Sequence, residues 1–264
     1  MLRSMYAGIS GMKGFQTKLD VVGNNIANVN TNGFKKGRVT FQDLLSQTTT
    51  GASGPTDNRG GVNPSQVGLG SQLGSIDDIH TQGFSQTTNN PLDLQLEGDG
   101  MFVLDTPDGR AYTRAGNFYL DSEGSMVNSD GYYLVGSDGT APLNIPEDAT
   151  SISIEKDGTV TYVDGEGAMQ DDQQIGIAIF SNPEGLEKDG GSLYLASGNS
   201  GAANLVEPES DGAATIVSGA LEMSNVDLAE EFTEMITAQR GFQANTRIIT
   251  TSDEILQELV NLKR

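Results

Sequence analysis

Leu221, Leu228, Met235, Phe242, Ile249 and Leu256 stand seven residues apart, six in a row, near the end of a 264-residue chain. A seven-residue apolar repeat on a helix makes a seam that has to be covered by other helices. Phe232, Ile236, Leu259 and Val260 widen that face. Ser224 with Asp227 three residues later resembles a capping box, with Asp in place of the usual Glu or Gln. Glu230, Glu231 and Glu234 sit early and Lys263 and Arg264 late, the placement a helix dipole favours. The spacing predicts a helix over 224–262, roughly 60 Å long at ~1.5 Å per residue.

A second seam lies at the other end. Met5, Met12, Leu19 and Ile26 repeat every seven residues, and so do Phe15, Val22 and Val29. This predicts a helix over 2–29, with Ile9 and Leu2 on the same face. Gly8, Gly11, Gly14 and Gly23 weaken it as an isolated helix but let a neighbouring backbone come close. Both helices are expected to be largely disordered until packed, since their seams would otherwise face water. Pairing the two seams leaves everything between them as an excursion.

The excursion reads as β structure. "MFVLDTPDGRAYTRAGNFYLDSEGSMVNSDGYYLVGSDG" alternates short β-prone runs with Gly-containing turns, and "SISIEKDGTVTYVDG" and "QQIGIAIF" continue it. The fold class is therefore α+β: long terminal helices pairing as a coiled-coil-like layer, with an inserted antiparallel β domain. The expected divisions are 1–30 plus 221–264 as a helical assembly core, 31–75 as an extended hinge or connection, and 76–220 as the β domain. Within the connection, residues 46–70 are polar and rich in Gly, Ser and Thr, which marks a flexible or irregular segment.

Charge narrows the partners. The formal net charge is −21, with 36 acidic against 15 basic residues. Residues 1–45 carry six Lys/Arg against two Asp/Glu, whereas 46–220 carry five against twenty-six. So acidic a chain is a poor match for nucleic acid. No stretch approaches the ~20 apolar residues of a membrane span, and the first residues lack the apolar core of a cleaved signal peptide. With no Cys, neither disulfides nor thiolate metal sites are available.

Catalytic patterns are missing. His80 is the only imidazole, and one His without Cys supports neither a triad nor a typical zinc site. The acidic turns "DTPDG", "DSEG", "NSDG" and "SDG" lack the ligand spacing of a calcium loop, and Asp and Gly are what tight turns require. No phosphate-binding glycine motif stands between a strand and a helix. The reading is of no enzyme, no cofactor, and a function carried by the seams, which points to assembly. The competing reading is a secreted β domain that presents its acidic loops to a ligand.

Three stretches resemble a known family. "LDVVGNNIANVNTNGFKKGRVTFQDLL" (19–45) is similar to the N-terminal signature of bacterial flagellar axial proteins, the rod, hook and hook-associated subunits. "EGDGMFVL" with "GRAYTRAGNFYLDSEGSMVNSDGYYLVG" (97–136) resembles the central motif of the hook and distal-rod proteins, and "SNVDLAEEFTEMITAQRGFQANTRIITTSDEILQELVNLKR" (224–264) their C-terminal helix. The residues matching the motifs include Asn24, Asn25, Ala27, Asn28, Gly33, Phe34, Ser224, Asn225, Gln239, Arg240 and Asn245. The resemblance implies a subunit that polymerises into a helical tube, through copies of itself and through other axial proteins: rod, hook-associated and hook-cap subunits. It implies terminal helices in the inner layer of the tube, and export through the flagellar type III apparatus without a cleaved signal. The C-terminal motifs look closer to a hook protein and the length to a distal rod protein. The reading leans to the hook, which transmits torque from motor to filament, with the distal rod as the alternative. Asn24, Asn25 and Asn28 are expected to set helix register, and Asn30, Asn32 and Gly33 to end the first helix.

Overall fold

The computed structural model describes residues 2–55, 59–146, 149, 151–165, 168–210 and 212–262. The chain forms two compact units: Met1–Ala27 with Gly37–Asp78 and Asp227–Arg264, and Asn28–Lys36 with Ile79–Val226.

The first unit is built on helix α1, Leu2–Ala27, and helix α2, Leu228–Asn261. They run antiparallel. Gly8 lies against Ile249, Phe15 against Gly241, Lys18 pairs with Glu234 at 3.1 Å and Asn25 with Glu231 at 3.2 Å, so position falls along one helix as it rises along the other. At ~1.5 Å per residue α1 is about 40 Å long and α2 about 50 Å, which carries the end of α2 past the start of α1. Neither helix is long and apolar enough to cross a membrane. Where the sequence predicts helices disordered until assembly, the single chain holds both formed and paired, with Val22 and Ala238 buried.

Both helices are shorter than the spacing predicts. α2 starts at Leu228 because Asp227 is itself the cap, its Oδ1 accepting from the Ala229 and Glu230 amides at 2.8 and 3.5 Å. Ser224 instead accepts from the Val226 amide within an extended stretch. Lys263 and Arg264 lie outside the described residues, as does the side chain of Leu2. α1 ends at Ala27, and the Thr31 and Phe34 amides, donating to Asn28 and Thr31 carbonyls, form the turn that follows. Gly33 takes a left-handed φ of +68°, but six residues past the last helical residue, so the helix ends ahead of Asn30, Asn32 and Gly33 rather than at them.

The connection, read as a hinge with a flexible or irregular segment, carries paired strands among its described residues. Strand Gly37–Asp43 runs antiparallel to Ser71–Asp78, from Gly37 opposite Asp78 to Asp43 opposite Ser71, with a bulge at Thr40 and Phe41. Further along, Gln47–Thr50 pairs with Ser65–Val67, and Ser53 bridges Val62. Gly and Ser content suggested irregularity. Thr48 and Thr50, β-branched and in strand, weigh the other way.

The second unit is antiparallel β structure. Its largest sheet is centred on Met101–Thr106, which pairs with Gly109–Thr113, Tyr133–Leu134 and Ile177–Ile179. Met101 to Leu104 are buried without a break. Successive side chains of a strand point to opposite faces, so Phe102 and Leu104 enter one core while Met101 and Val103 enter another. Phe102 and Phe118 meet edge to face at 5.2 Å in the first, Tyr112 and Phe180 at 4.7 Å in the second. A three-stranded sheet, Ser151–Ile154, Thr159–Val163 and Met169–Gln174, and two ribbons complete the unit. The ribbons pair Leu94–Glu97 with Thr215–Ser218, and Ser85–Thr87 with Ala220–Glu222.

Candidate functional site

The helical pair divides the apolar residues of α2 between a covered and an open face. Met235, Phe242, Ile249 and Leu256 are half-buried on the side of α1. Each turns about 20° back from the last on an ideal helix, the drift that a seven-residue repeat produces. Facing them on α1, Met5, Met12, Phe15, Leu19 and Ile26 are half-buried and Val22 buried. Leu228, Phe232 and Ile236 advance four residues at a time, so they rotate the other way, off the covered edge. They stand 40%, 49% and 51% exposed. Ile248, Ile255, Leu259 and Val260 leave a second exposed apolar group toward the helix end.

Two seam residues belong elsewhere. Val29 lies in the turn after α1 rather than on the helix. Leu221 sits in strand Ala220–Glu222 opposite Gln86, buried in the second unit. The repeat passes through 221 by coincidence of spacing, because residues 220–222 form a strand and helix α2 starts only at Leu228.

Small residues set the approach of the helices. A Cβ on Gly241 would stand 2.6 Å from the Phe15 ring, and one on Gly11 2.9 Å from Asn245 Nδ2. Asn25 joins helix to strand: its Oδ1 accepts from the Gly37 amide at 3.0 Å, while its Nδ2 donates to the Gly37 carbonyl at 2.9 Å and to Glu231. Asn24 and Ala27 face outward on α1, and Gln239 and Arg240 outward on α2.

The other motif residues converge within the second unit. Asn225 Oδ1 accepts from the Lys36 amide at 2.8 Å and its Nδ2 donates to the Ile79 carbonyl at 2.8 Å. Asn28 accepts from the Thr31 hydroxyl at 3.1 Å. The Lys188 ammonium lies over the Phe34 ring, 5.0 Å from its centre. Gly33 is packed so closely that a Cβ would meet the Ala115 amide nitrogen at 2.5 Å, and its own N–H donates to the Glu222 carbonyl at 2.8 Å.

At the centre of this region is a charge cluster that the sequence did not announce. Glu222 Oε1 accepts from Lys35 Nζ at 2.7 Å and from the Gly83 amide at 2.8 Å, and Oε2 accepts from Arg114 Nε at 2.5 Å. Lys35 also donates to the Thr81 carbonyl, and Arg114 to the carbonyls of Leu96, Gly98 and Gly100. All three side chains are buried. Burial by itself raises the Glu222 carboxyl, but Arg114, Lys35 and the Gly83 N–H outweigh it and hold the group below the usual carboxylate range. Burial lowers the Lys35 ammonium, and Glu222 offsets only part of that. A cavity of about 260 Å³ opens beside Lys35 and Arg114, lined also by His80, Asp99 and Phe180. His80 packs near Tyr194, ring centres 5.7 Å apart.

The chain matches three protein-family models: "Flagella basal body rod protein" over residues 5–35, "Flagellar hook protein FlgE/F/G D1 domain" over 95–162, and "Flagellar basal body rod FlgEFG protein C-terminal" over 217–262. It is 60% identical over 265 residues to the flagellar basal-body rod protein FlgG of Bacillus subtilis (strain 168), with all of both chains covered. The chain belongs to the flagellar rod and hook family. Other relatives include the basal-body rod protein FlgG of Caulobacter vibrioides, 40% identical over 266 residues with 99% of this chain and all of the relative covered. The hook protein FlgE of Borreliella burgdorferi is 31% identical over an alignment of 441 positions that covers both chains fully. Rod and hook proteins are structural rather than enzymatic. Each family stretch supplies one member of the buried cluster: Lys35, Arg114 and Glu222 fall in the first, second and third.

Proposed function

We propose that the chain is a subunit of the flagellar basal-body rod, in its distal part, where it polymerises through its terminal helices. The hook reading favoured by the C-terminal motifs gives way to this one. The observation that carries it is end-to-end similarity at 60% identity to a rod protein of matching length. The hook relative aligns over 441 positions against the 264 residues of this chain, so it carries a large insertion that the chain lacks. The paired strands of 37–78 also favour the rod, since an ordered ribbon is less compliant than a loose connection.

In this reading the open face of α2, Leu228, Phe232 and Ile236, packs against neighbouring copies. A tube needs heterologous contacts that do not close on themselves. Partners are further copies of the chain, adjoining rod, hook and hook-associated subunits, and the flagellar export apparatus, which takes the chain without removing a leader. Electron microscopy of basal bodies from a deletion strain tests the assignment. A shortened rod with no hook is expected. A full-length rod that merely lacks its hook would return the chain to the hook.

A further inference from the structure

Asn32–Gly33 is the one Asn–Gly pair in the sequence, and it lies in the turn after α1. Glycine has no Cβ to hinder its own amide nitrogen, so the preceding asparagine side chain is open to attack by that nitrogen in a mobile chain. We propose that Asn32 is a site of spontaneous deamidation, closed while residues 28–36 are docked in the β unit and open when they are not.

The chemistry needs only water. The Gly33 nitrogen bonds to Asn32 Cγ, the Cγ–Nδ2 bond breaks, and ammonia leaves with the proton from the Gly33 N–H, giving a cyclic imide. Water then opens either carbonyl, leaving aspartate or isoaspartate. Nothing is oxidised or reduced.

In the docked segment the nucleophile is withheld. The Gly33 N–H donates to the Glu222 carbonyl at 2.8 Å, and two residues on Lys35 is fixed to the Glu222 carboxylate at 2.7 Å. The Phe34 amide donates back to Thr31 at 3.3 Å, which fixes the turn from the other side. The electrophile and water are not withheld. Asn32 is half-buried and lines a hollow of about 280 Å³ with Thr113, Asn117, Asn128 and Asp130. Docking of the backbone therefore controls the reaction. The aspartate product keeps the backbone and can redock, whereas isoaspartate inserts a methylene into the main chain beside Gly33, a residue packed so closely that a Cβ on it would stand 2.5 Å from the Ala115 nitrogen.

The test incubates the full chain at mildly alkaline pH in native buffer and in urea, and follows the Asn32 peptide by mass spectrometry. Asn199, followed by Ser200, serves as the internal reference. In urea Asn32 should be the faster of the two, and in native buffer it should slow at least ~10-fold, the change that about 1.4 kcal/mol of docking produces. Glu222→Gln and Lys35→Met should each speed the native reaction. Should either variant fail to fold, the wild-type comparison still decides. Equal rates in buffer and urea, or Asn32 no faster than Asn199 in urea, would overturn the proposal.

Discussion

Replacing Glu222 by Gln changes almost no volume and removes one charge, which makes it a direct probe of the buried cluster. Glu222 is 1% exposed and Lys35 2%, so the ammonium is left in a buried site without its counter-charge. Arg114 keeps its three carbonyl partners, but its Nε–H or the Lys35 ammonium then faces the new amide NH2, donor against donor. Removing one partner of a buried pair costs about 3–5 kcal/mol. At ~2–4 °C per kcal/mol for a domain of this size, the midpoint should fall by roughly 6–20 °C. Tyrosine fluorescence reads the right unit, because the chain has no Trp and only Tyr6 of its seven tyrosines lies outside Ile79–Val226. Adding Lys35→Met should recover part of the loss, since the uncompensated charge goes with it. A loss below about 1 kcal/mol for Glu222→Gln alone, within the range of exposed pairs, would refute the reasoning.

Acid should act through the same carboxylate. Its folded pKa lies below the unfolded one, so its contribution is full above about pH 4.3 and fades as pH falls through the folded value; urea melts of wild type and Glu222→Gln should converge there and stay apart at neutral pH. Phe232→Asp with Ile236→Asp, on the open face of α2, should leave the melting of the single chain within about 0.5 kcal/mol yet abolish tube formation seen by electron microscopy; normal tubes would contradict the assembly face. Gly33→Ala should destabilise the β unit by more than the ~1 kcal/mol typical of a point change, because both φ and the Ala115 backbone oppose a Cβ, and calorimetry would show it.

The sequence made the helices legible because a seven-residue repeat is a local pattern. Met235, Phe242, Ile249 and Leu256 could be placed from spacing alone. Spacing could not say where the helix stopped being a helix. Leu221 continued the repeat into a strand, and only the extended pairing of 220–222 with 85–87 shows the break. The α+β class was readable from the turns. The ribbon in 46–70 was not, since composition registers glycine more strongly than it registers two threonines in register with a partner strand. The buried cluster was invisible for a different reason. Lys35, Arg114 and Glu222 are unremarkable singly, and nothing near any of them in sequence hints at the other two.

That separation has a kinetic side. The Lys35–Glu222 bond joins residues 187 positions apart. Closing so long a loop costs roughly 3 kcal/mol more than closing a hairpin of about five residues, at ~0.6 kcal/mol per doubling, and such distant contacts slow folding. In a chain that emerges amino end first, residues 28–36 must wait for almost all of the rest before their place exists. The first helix is therefore complete long before the contact that anchors the turn behind it can form, and strand Ala220–Glu222, late in the chain, is what locks residues 28–36.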